Sequence, residues 1–221
     1  VKQDILRRSS VGFIATRRGP RVDRVGSNEV VGADLNLNLL QNIQAGGYYA
    51  RSATTGATGD QVSYRGFFRY TSDRYGLEGY QQKVGKAFNP EVGYVQRSDI
   101  RRTDVIARFS PRLRSTPGLR KIGWTAEMDR FVNSRGIEET RVSTADFRID
   151  FDSSDAFTAT ARQDREFLQV PFRIARGVVI PVGQYDFLDA MLRYTIGPQR
   201  MASGQVTLTS GAFYSGHRQQ I

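Results

Sequence analysis

The stretch from Gly32 to Asn42, GADLNLNLLQN, alternates between apolar and polar side chains with a period of two. Leu35, Leu37 and Leu39 fall on one face, and aspartate and asparagine fall on the other. This period is typical of a β-strand whose two faces meet different environments. A soluble sandwich would bury the leucines, whereas an outer-membrane barrel would place them against lipid and the asparagines in a wet lumen.

The same alternation recurs along the chain and predicts an all-β fold. It is clearest in TADFRIDF, residues 144–151, where Phe147 and Ile149 share a face opposite charged side chains. Helical spacing competes only at residues 185–194, and the β-branched, aromatic and glycine content disfavours helices elsewhere. We expect about eleven strands in one domain over residues 1–221. The other alternating segments are 9–18, 61–71, 101–109, 122–130, 188–196 and 202–210.

The predicted connections alternate between short and long. Short turns are expected at 41–42, 72–74, 152–155 and 197–199, and long connections at 18–28, 52–60, 83–99, 131–139 and 164–184. The connection at 110–120 is intermediate. This alternation favours an antiparallel up-and-down transmembrane β-barrel with short turns at one end and long loops at the other. Because such barrels have even strand numbers and leave no edge unpaired, we expect the barrel to be truncated at both ends.

Bulk composition agrees with this class and narrows the chemistry. The net charge is +10, the mean hydropathy is −0.46, and there are no cysteines. A negative mean hydropathy is compatible with a barrel, because half of each strand faces a polar interior. The side chains predicted to face lipid are Leu35, Leu37, Leu39, Phe147 and Ile149.

Charged side chains on the opposite strand faces are predicted to line the lumen. Two interpretations stay open: a pore lining that selects solutes by charge, or a salt-bridged filling that holds a narrow barrel together. The mixed signs favour the filling. The predicted lumen-facing residues are Arg65, Arg69, Arg102, Asp104, Arg108, Glu127, Asp129, Asp146, Arg148, Asp150, Asp189 and Arg193.

No catalytic, cofactor or metal site is predicted from the residue types. Asp146 and Asp150 lie four residues apart on one strand face, roughly 13 Å at ordinary strand rise. That separation exceeds the roughly 5 to 9.5 Å between the paired carboxylates of glycosidases. A cross-strand pair such as Glu127 with Asp146 depends on a register that the sequence does not give. His217 is the only histidine, so no ordinary zinc site is expected.

Arginine clusters lie in or beside the long connections, at residues 17–24 and 97–102. Arginine forms bidentate bonds with phosphate, so one interpretation is contact with lipopolysaccharide at the outer leaflet, and the other is ordinary solvated charge in the loops. A nucleic-acid partner is not predicted, because the aromatics share a face with aliphatic residues. Aromatic residues near strand ends, including Tyr48, Trp124 and Phe131, are expected to form interfacial girdles. The apolar segment 170–182 is expected to be either a plug or a short hairpin.

Several segments resemble a bacterial family in which a carbohydrate-binding-like domain of the family-nine type precedes a C-terminal outer-membrane barrel domain of unknown function. The most specific are FNPEVGYVQR and FRIARGVVIPVGQYDF. The resemblance implies a barrel domain that lacks the carbohydrate-binding-like domain and its own last strands. Some family members are labelled membrane-associated hydrolases, without a catalytic motif to transfer here. The resembling segments are Arg7–Arg18, Val62–Tyr70, Phe88–Arg102, Glu166–Phe187 and Gly211–Arg218.

The sequence therefore predicts a bacterial outer-membrane β-barrel segment that is not catalytic itself. It would act as a membrane anchor, and as a pore if the lumen is open, for a protein that binds or takes up glycans. Its expected partners are outer-membrane lipid, lipopolysaccharide and an oligosaccharide. The alternatives are part of a surface-attached carbohydrate-active hydrolase, and a soluble β-sandwich binding module. The oligomeric state stays open.

Overall fold

The computed structural model describes residues 1–20, 25–213 and 216–221, and these residues form strands, turns and loops without any helix. The described part of the chain accordingly holds no long apolar helix of the kind that crosses a membrane. The strands are β1 Lys2–Ile5, β2 Ser9–Arg18, β3 Asn28–Leu39, β4 Ile43–Thr54, β5 Val62–Thr71, β6 Tyr75–Val84, β7 Ile100–Phe109, β8 Leu119–Val132, β9 Glu138–Phe151, β10 Ala156–Leu168, β11 Phe172–Ala175, β12 Val178–Ile180, β13 Gly183–Ile196, β14 Gly204–Phe213 and β15 Gly216–Gln220.

Thirteen of these strands form one sheet in which spatial order follows chain order, β1 through β10 and then β13 to β15. The registered pairs are antiparallel, so the predicted all-β, up-and-down arrangement is confirmed. Within the described ranges β1 and β15 each have one neighbour, and the sheet is not closed. The eleven expected strands are present in the sheet, and β1 and β15 are two further strands that the sequence did not predict.

Contacts divide the chain into two compact units. Unit 1 comprises Val1–Thr71, Glu78–Asp104 and Phe131–Ile137, and unit 2 comprises Ser72–Leu77, Val105–Arg130 and Glu138–Ile221. Strands β6, β7 and β8 each contribute residues to both units. The expectation of one domain over residues 1–221 stays a prediction.

In unit 1 the register places the leucines of β3 on one face with other apolar side chains. Leu35 is opposite Val11 of β2 and Gly47 of β4, and Leu37 is opposite Ala45. Directly opposed residues in an antiparallel pair project from the same face. We call this the apolar face of unit 1. The other, polar face carries Asp34, Tyr48 and Arg65 in one cross-strand row and Asn38, Gln44 and Arg69 in another.

Unit 2 shows the same division. Phe147 is opposite Ala159, which is opposite Leu192, and Leu192 is opposite Leu208. One residue along, Arg148 is opposite Thr158, and Thr158 is opposite Arg193. The first row belongs to the apolar face of unit 2, and the second belongs to its polar face.

The pattern of burial is the reverse of that in a soluble protein with an apolar core: here polar side chains are the most buried. Among the described residues the largest fully buried side chains are Ser52 and Ser63, and Asn28 is only 2% exposed. On the apolar faces, by contrast, Phe13 is 61% exposed and Leu188 is 64% exposed. More polar than apolar side chains are therefore buried, the apolar ones including Val30, Ile100 and Phe187, while many large apolar residues of the apolar faces are exposed.

Connections at alternate ends of the strands differ in length, largely as predicted. Short turns are formed by residues 6–8, 40–42, 72–74 and 152–155. The longer loops at the opposite strand ends are residues 55–61, 85–99 and 169–182, whereas the predicted long connection at 18–28 lies partly outside the described residues. We call these the short-turn end and the long-loop end. Two connections differ from expectation: 133–137 is short because β8 and β9 extend into it, and 197–203 is longer than a tight turn. Segment 170–182 contains the β11–β12 hairpin, one of its two predicted forms.

Candidate functional site

The apolar faces are broad, continuous and exposed. In unit 1, Leu35 is 40% exposed, Leu39 41% and Phe68 43%. In unit 2, Leu192 is 47% exposed and Val206 57%. Water-soluble monomers rarely expose contiguous apolar patches of more than a few hundred Å². Of the predicted lipid-facing residues, Leu35, Leu37 and Leu39 share the apolar face of unit 1, and Phe147 and Ile149 share that of unit 2.

A row of aromatic rings crosses the apolar face of unit 2, from the strand ends at Tyr75 and Phe109 to Phe147, four residues inside β9. Tyr75 stacks on Phe109 at a centroid distance of 5.3 Å, and Phe109 stacks on Trp124 at 5.7 Å. Trp124 meets Phe147 at 5.5 Å, and a second contact joins Phe151 to Tyr194 at 6.4 Å. Strands β6 to β9 thus each contribute a ring to this row.

Charged residues end the apolar face at the long-loop end. In unit 1, Arg17 pairs with Glu29 at 3.1 Å, and in unit 2, Arg165 pairs with Asp186 at 2.7 Å. Arg141 stands opposite Arg165. These residues have the same strand parity as the leucines and phenylalanines, so they lie on the same face, toward the long-loop ends of their strands.

The length of the apolar band follows from the sequence positions of its ends. Ten positions separate Glu29 from Leu39 on β3, and ten separate Arg141 from Phe151 on β9. Ten residues extend about 33 Å along a strand. A barrel strand tilted by about 40° needs about this length to cross an apolar band about 25 Å high.

The polar face of unit 2 forms a cleft of about 460 Å³. It brings together five of the predicted lumen-facing charges, Arg108, Asp146, Arg148, Asp150 and Arg193, with Lys121. Arg148 pairs with Asp150 at 2.8 Å, and Thr160 donates a hydrogen bond to Asp146. Carboxylates with such partners are held as acceptors, so the cleft is a charged lining in which opposite charges contact each other.

Arg108 of the cleft also donates to the carbonyl of Ser72 at 2.6 Å, which holds the turn at 72–74 against β7. The remaining predicted charges of unit 2, Glu127, Asp129 and Asp189, do not line the cleft. Asp189 accepts from Arg218 at 2.9 Å. Glu127 and Asp129 lie on β8 with the parity of the polar face, where Glu127 interacts electrostatically with Arg162.

The four predicted charges of unit 1 lie along β5 and β7. Arg69 pairs with Glu78 at 2.7 Å, and Arg102 approaches Asp104 at 3.8 Å. The guanidinium of Arg65 lies 4.1 Å from the centroid of the Tyr80 ring. Asp104 is 7% exposed, which makes it the most buried carboxylate of this face.

A hydrogen-bonded cluster that the sequence did not reveal joins two turns of unit 2. Asp155, 3% exposed, accepts from the amide of Gly197 at 2.9 Å, from Tyr194 Oη at 3.1 Å and from Arg200 Nε at 3.1 Å. The bond from the Arg200 guanidinium is the main cause of a pKa well below the usual value for Asp155. This carboxylate fixes turn 152–155 against connection 197–203.

Some predicted features fall elsewhere. Tyr48 and Phe131 belong to the polar face, not to a girdle, because Tyr48 bonds Ser63 and Phe131 contacts Arg97 and Arg102. His217 Nε2 lies 3.1 Å from Ser210 Oγ. Among the described residues, no group of three or more His, Cys, Asp or Glu side chains is placed to hold a metal ion. Arg21 and Arg24 of the first arginine cluster lie outside the described residues.

Comparison of the chain with protein families, curated proteins and solved structures finds no match. The family resemblance drawn from the sequence segments therefore stays an expectation, and the functional argument depends on the geometry of the two faces.

Proposed function

We propose that this chain is part of an outer-membrane β-barrel that anchors a glycan-binding or glycan-uptake protein, with lipid on the apolar faces and solute on the polar faces. The observation that carries the proposal is the inverted burial: Ser52 and Ser63 are almost fully buried, whereas Leu188 is 64% exposed. A soluble sandwich would cover the leucine face with a second sheet. In a bilayer the same face contacts hydrocarbon tails, so its apolar side chains are not exposed to water.

Three further features support lipid on the apolar face. Its length of about 33 Å along the strand is what a barrel strand tilted by about 40° needs to cross an apolar band about 25 Å high. Tyr75 and Phe109, at the ends of β6 and β7, and Phe151, at the end of β9, lie at one edge of the band, where aromatic rings favour the membrane interface. The pairs Arg17–Glu29 and Arg165–Asp186 lie at the other edge, where ionised groups reach water or lipid headgroups.

On the polar face the charge pairs support a lining without catalytic chemistry. Arg148–Asp150 and Arg69–Glu78 join opposite charges, as expected for a filled or narrow lumen. The two carboxylates that line the unit 2 cleft, Asp146 and Asp150, are each bonded to a neighbour. We infer that this segment holds and guides a solute and does not hydrolyse it.

The proposal is tested by asking which face of β3 meets lipid tails. The chain has no cysteine, so single cysteines at Leu35 and Asn36 can each be labelled with a fluorophore. These neighbours lie on opposite faces near the middle of the band. In bilayers with brominated acyl chains, we expect strong quenching at position 35 and weak quenching at position 36.

The control is a second pair, Leu192 and Arg193, on β13 of unit 2. Position 192 should be quenched and position 193 should not. Equal weak quenching at all four positions, or a chain that stays in the aqueous phase, would refute the membrane proposal and leave the soluble binding module as the explanation.

A further inference from the structure

Unit 1 contains a cavity of about 650 Å³ on its polar face, covered by the loop at residues 85–99. This volume lies within the range of about 300–1,000 Å³ that is usual for ligand pockets. The lining combines rings, amides, hydroxyls and two arginines. The residues that matter for recognition are Tyr48, Gln82, Tyr94, Arg97, Arg102 and Phe131.

Hydrogen bonds and an ion pair hold the loop that covers this cavity against the sheet. Asn28 donates from its side chain to the carbonyl of Asn89 at 3.0 Å, and the amide of Asn89 donates to Ser52 Oγ at 3.1 Å. Glu91 accepts two bonds from the Arg18 guanidinium, at 2.6 and 2.8 Å. These contacts explain why Asn28 and Ser52 are buried, and they hold the cavity wall in place before any ligand arrives.

The floor of the cavity is a fixed set of hydroxyl and amide groups. Ser63 Oγ donates to the carbonyl of Lys83 at 3.1 Å, and Ser63 also bonds Tyr48 Oη at 3.1 Å. Gln82 Nε2 donates to the same Tyr48 oxygen at 3.4 Å. Since these groups are already oriented, a polar ligand meets them with little further loss of side-chain entropy.

One wall of the cavity belongs to a stack in which cations alternate with rings. Arg97 and Arg102 place their guanidinium carbons 5.2 and 5.0 Å from the centroid of Phe131. Arg102 is also 5.0 Å from the centroid of Tyr80, and Arg65 lies 4.1 Å from that ring. Ring faces attract the flat side of a guanidinium. A guanidinium carries five N–H donors, so a bound carboxylate can add to the interactions that each arginine already makes.

We propose that this cavity binds an acidic saccharide, with the sugar ring against Tyr94 and Phe131 and its carboxylate on Arg97 and Arg102. The C–H faces of a pyranose fit aromatic rings, and its hydroxyls fit the amides and hydroxyls of the floor. Arginine pairs with a carboxylate through two parallel bonds. The ligand class deepens the proposed solute role, but it concerns unit 1 alone and does not require that the apolar face meets lipid.

The test is calorimetric titration of the whole chain in detergent micelles with trigalacturonate and with neutral galactotriose. We expect trigalacturonate to bind at least tenfold more tightly than the neutral trisaccharide. Arg97→Gln and Tyr94→Ala should each weaken trigalacturonate binding at least tenfold. Tyr94 is 89% exposed, so its replacement removes a stacking surface without disturbing the fold.

Arg101→Gln is the matched control, because Arg101 is an exposed arginine of β7, four residues after Arg97, that does not line the cavity. This variant loses the same charge and should bind trigalacturonate as the parent does. Equal affinity for both trisaccharides, no binding of either, or an equal loss in Arg101→Gln and Arg97→Gln would overturn the proposal. Fluorescence quenching by brominated lipid is independent of this result, so failure here is distinguishable from failure of the membrane proposal.

Discussion

Placing an arginine at the middle of the apolar band tests whether this face is solvated by hydrocarbon. Leu35 on β3 is 40% exposed, lies opposite Val11 and Gly47, and has no charged residue as a direct cross-strand partner. Leu35→Arg places a cation in the middle of the apolar face and removes few packing contacts, since Leu35 is partly exposed. Leu39→Arg makes the same change beside the short turn. Asn36→Arg makes it on the polar face one residue away.

The expected loss of folding free energy depends on how deep each substituted position lies in the apolar band. Leu35 is four residues from Leu39, about 13 Å along the strand, which is about 10 Å of height at a tilt of about 40°. Half of the band is about 12 Å, so Leu35 lies near its centre. An arginine at the midplane of a barrel costs about 2–4 kcal/mol, and one near the interface costs about 0–1 kcal/mol. Asn36→Arg should change the free energy of unfolding by less than about 0.5 kcal/mol.

The assay is guanidinium unfolding from lipid vesicles, followed by the emission of Trp124, the single tryptophan, which lies on the apolar face of unit 2. The predicted order of destabilisation is position 35, then 39, then 36. A difference of about 2–3 kcal/mol between positions 35 and 36 is a thirty- to hundredfold change in the unfolding equilibrium at about 1.4 kcal/mol per factor of ten. Equal costs at the three positions would refute the argument from depth.

Two further predictions concern close backbone packing and acid stability. A Cβ added at Gly47 would lie 2.0 Å from the carbonyl oxygen of Arg65, whereas one added at Gly66 would meet nothing within 4 Å. We therefore expect Gly47→Ala to cost about 1–3 kcal/mol and Gly66→Ala, its cross-strand partner, to cost almost nothing in the same unfolding assay. Because the pKa of Asp155 is lowered in the folded chain, its stabilisation is complete above the unfolded-state value of about 3.9 and is lost as the pH falls toward the folded-state pKa. The difference in melting temperature between the parent and Asp155→Asn should thus be constant from pH 7 to pH 5 and should shrink below pH 4; a constant difference down to pH 2 would contradict this role.

The sheet could be predicted from the sequence because alternation is a local property. Phe147 and Ile149 had to share a face, whichever strand they paired with, and the register confirms that they do. The same rule would have placed Tyr48 correctly, since its neighbour Tyr49 has the parity of the leucines. The expectation of a girdle at Tyr48 came from its position near a strand end, and parity is the stronger constraint.

The cavity and the Asp155 cluster could not be predicted, because their partners are far apart in sequence. Arg18 reaches Glu91 across 73 positions, and Arg200 reaches Asp155 across 45. Loop sequences carry no periodic signal that would fix such contacts. The high arginine content indicated many ion pairs, but only the register and the loop path decide which carboxylate each guanidinium meets.

The arginines of the two polar faces have different neighbours, and this difference indicates which unit binds a negatively charged solute. In unit 2, Arg148 and Arg162 contact carboxylates two residues along their own strands, Asp150 and Asp164, so charge is cancelled within each strand. In unit 1, Arg102 also has a carboxylate two residues along its strand, but Asp104 lies 3.8 Å away, and Arg102 is 5.0 Å from the ring centroids of both Tyr80 and Phe131. A ring face attracts a guanidinium without using its N–H donors. We therefore expect a solute that carries a carboxylate to bind the arginines beside the rings of unit 1, and not the arginines of unit 2 that pair with carboxylates at 2.8 and 2.9 Å.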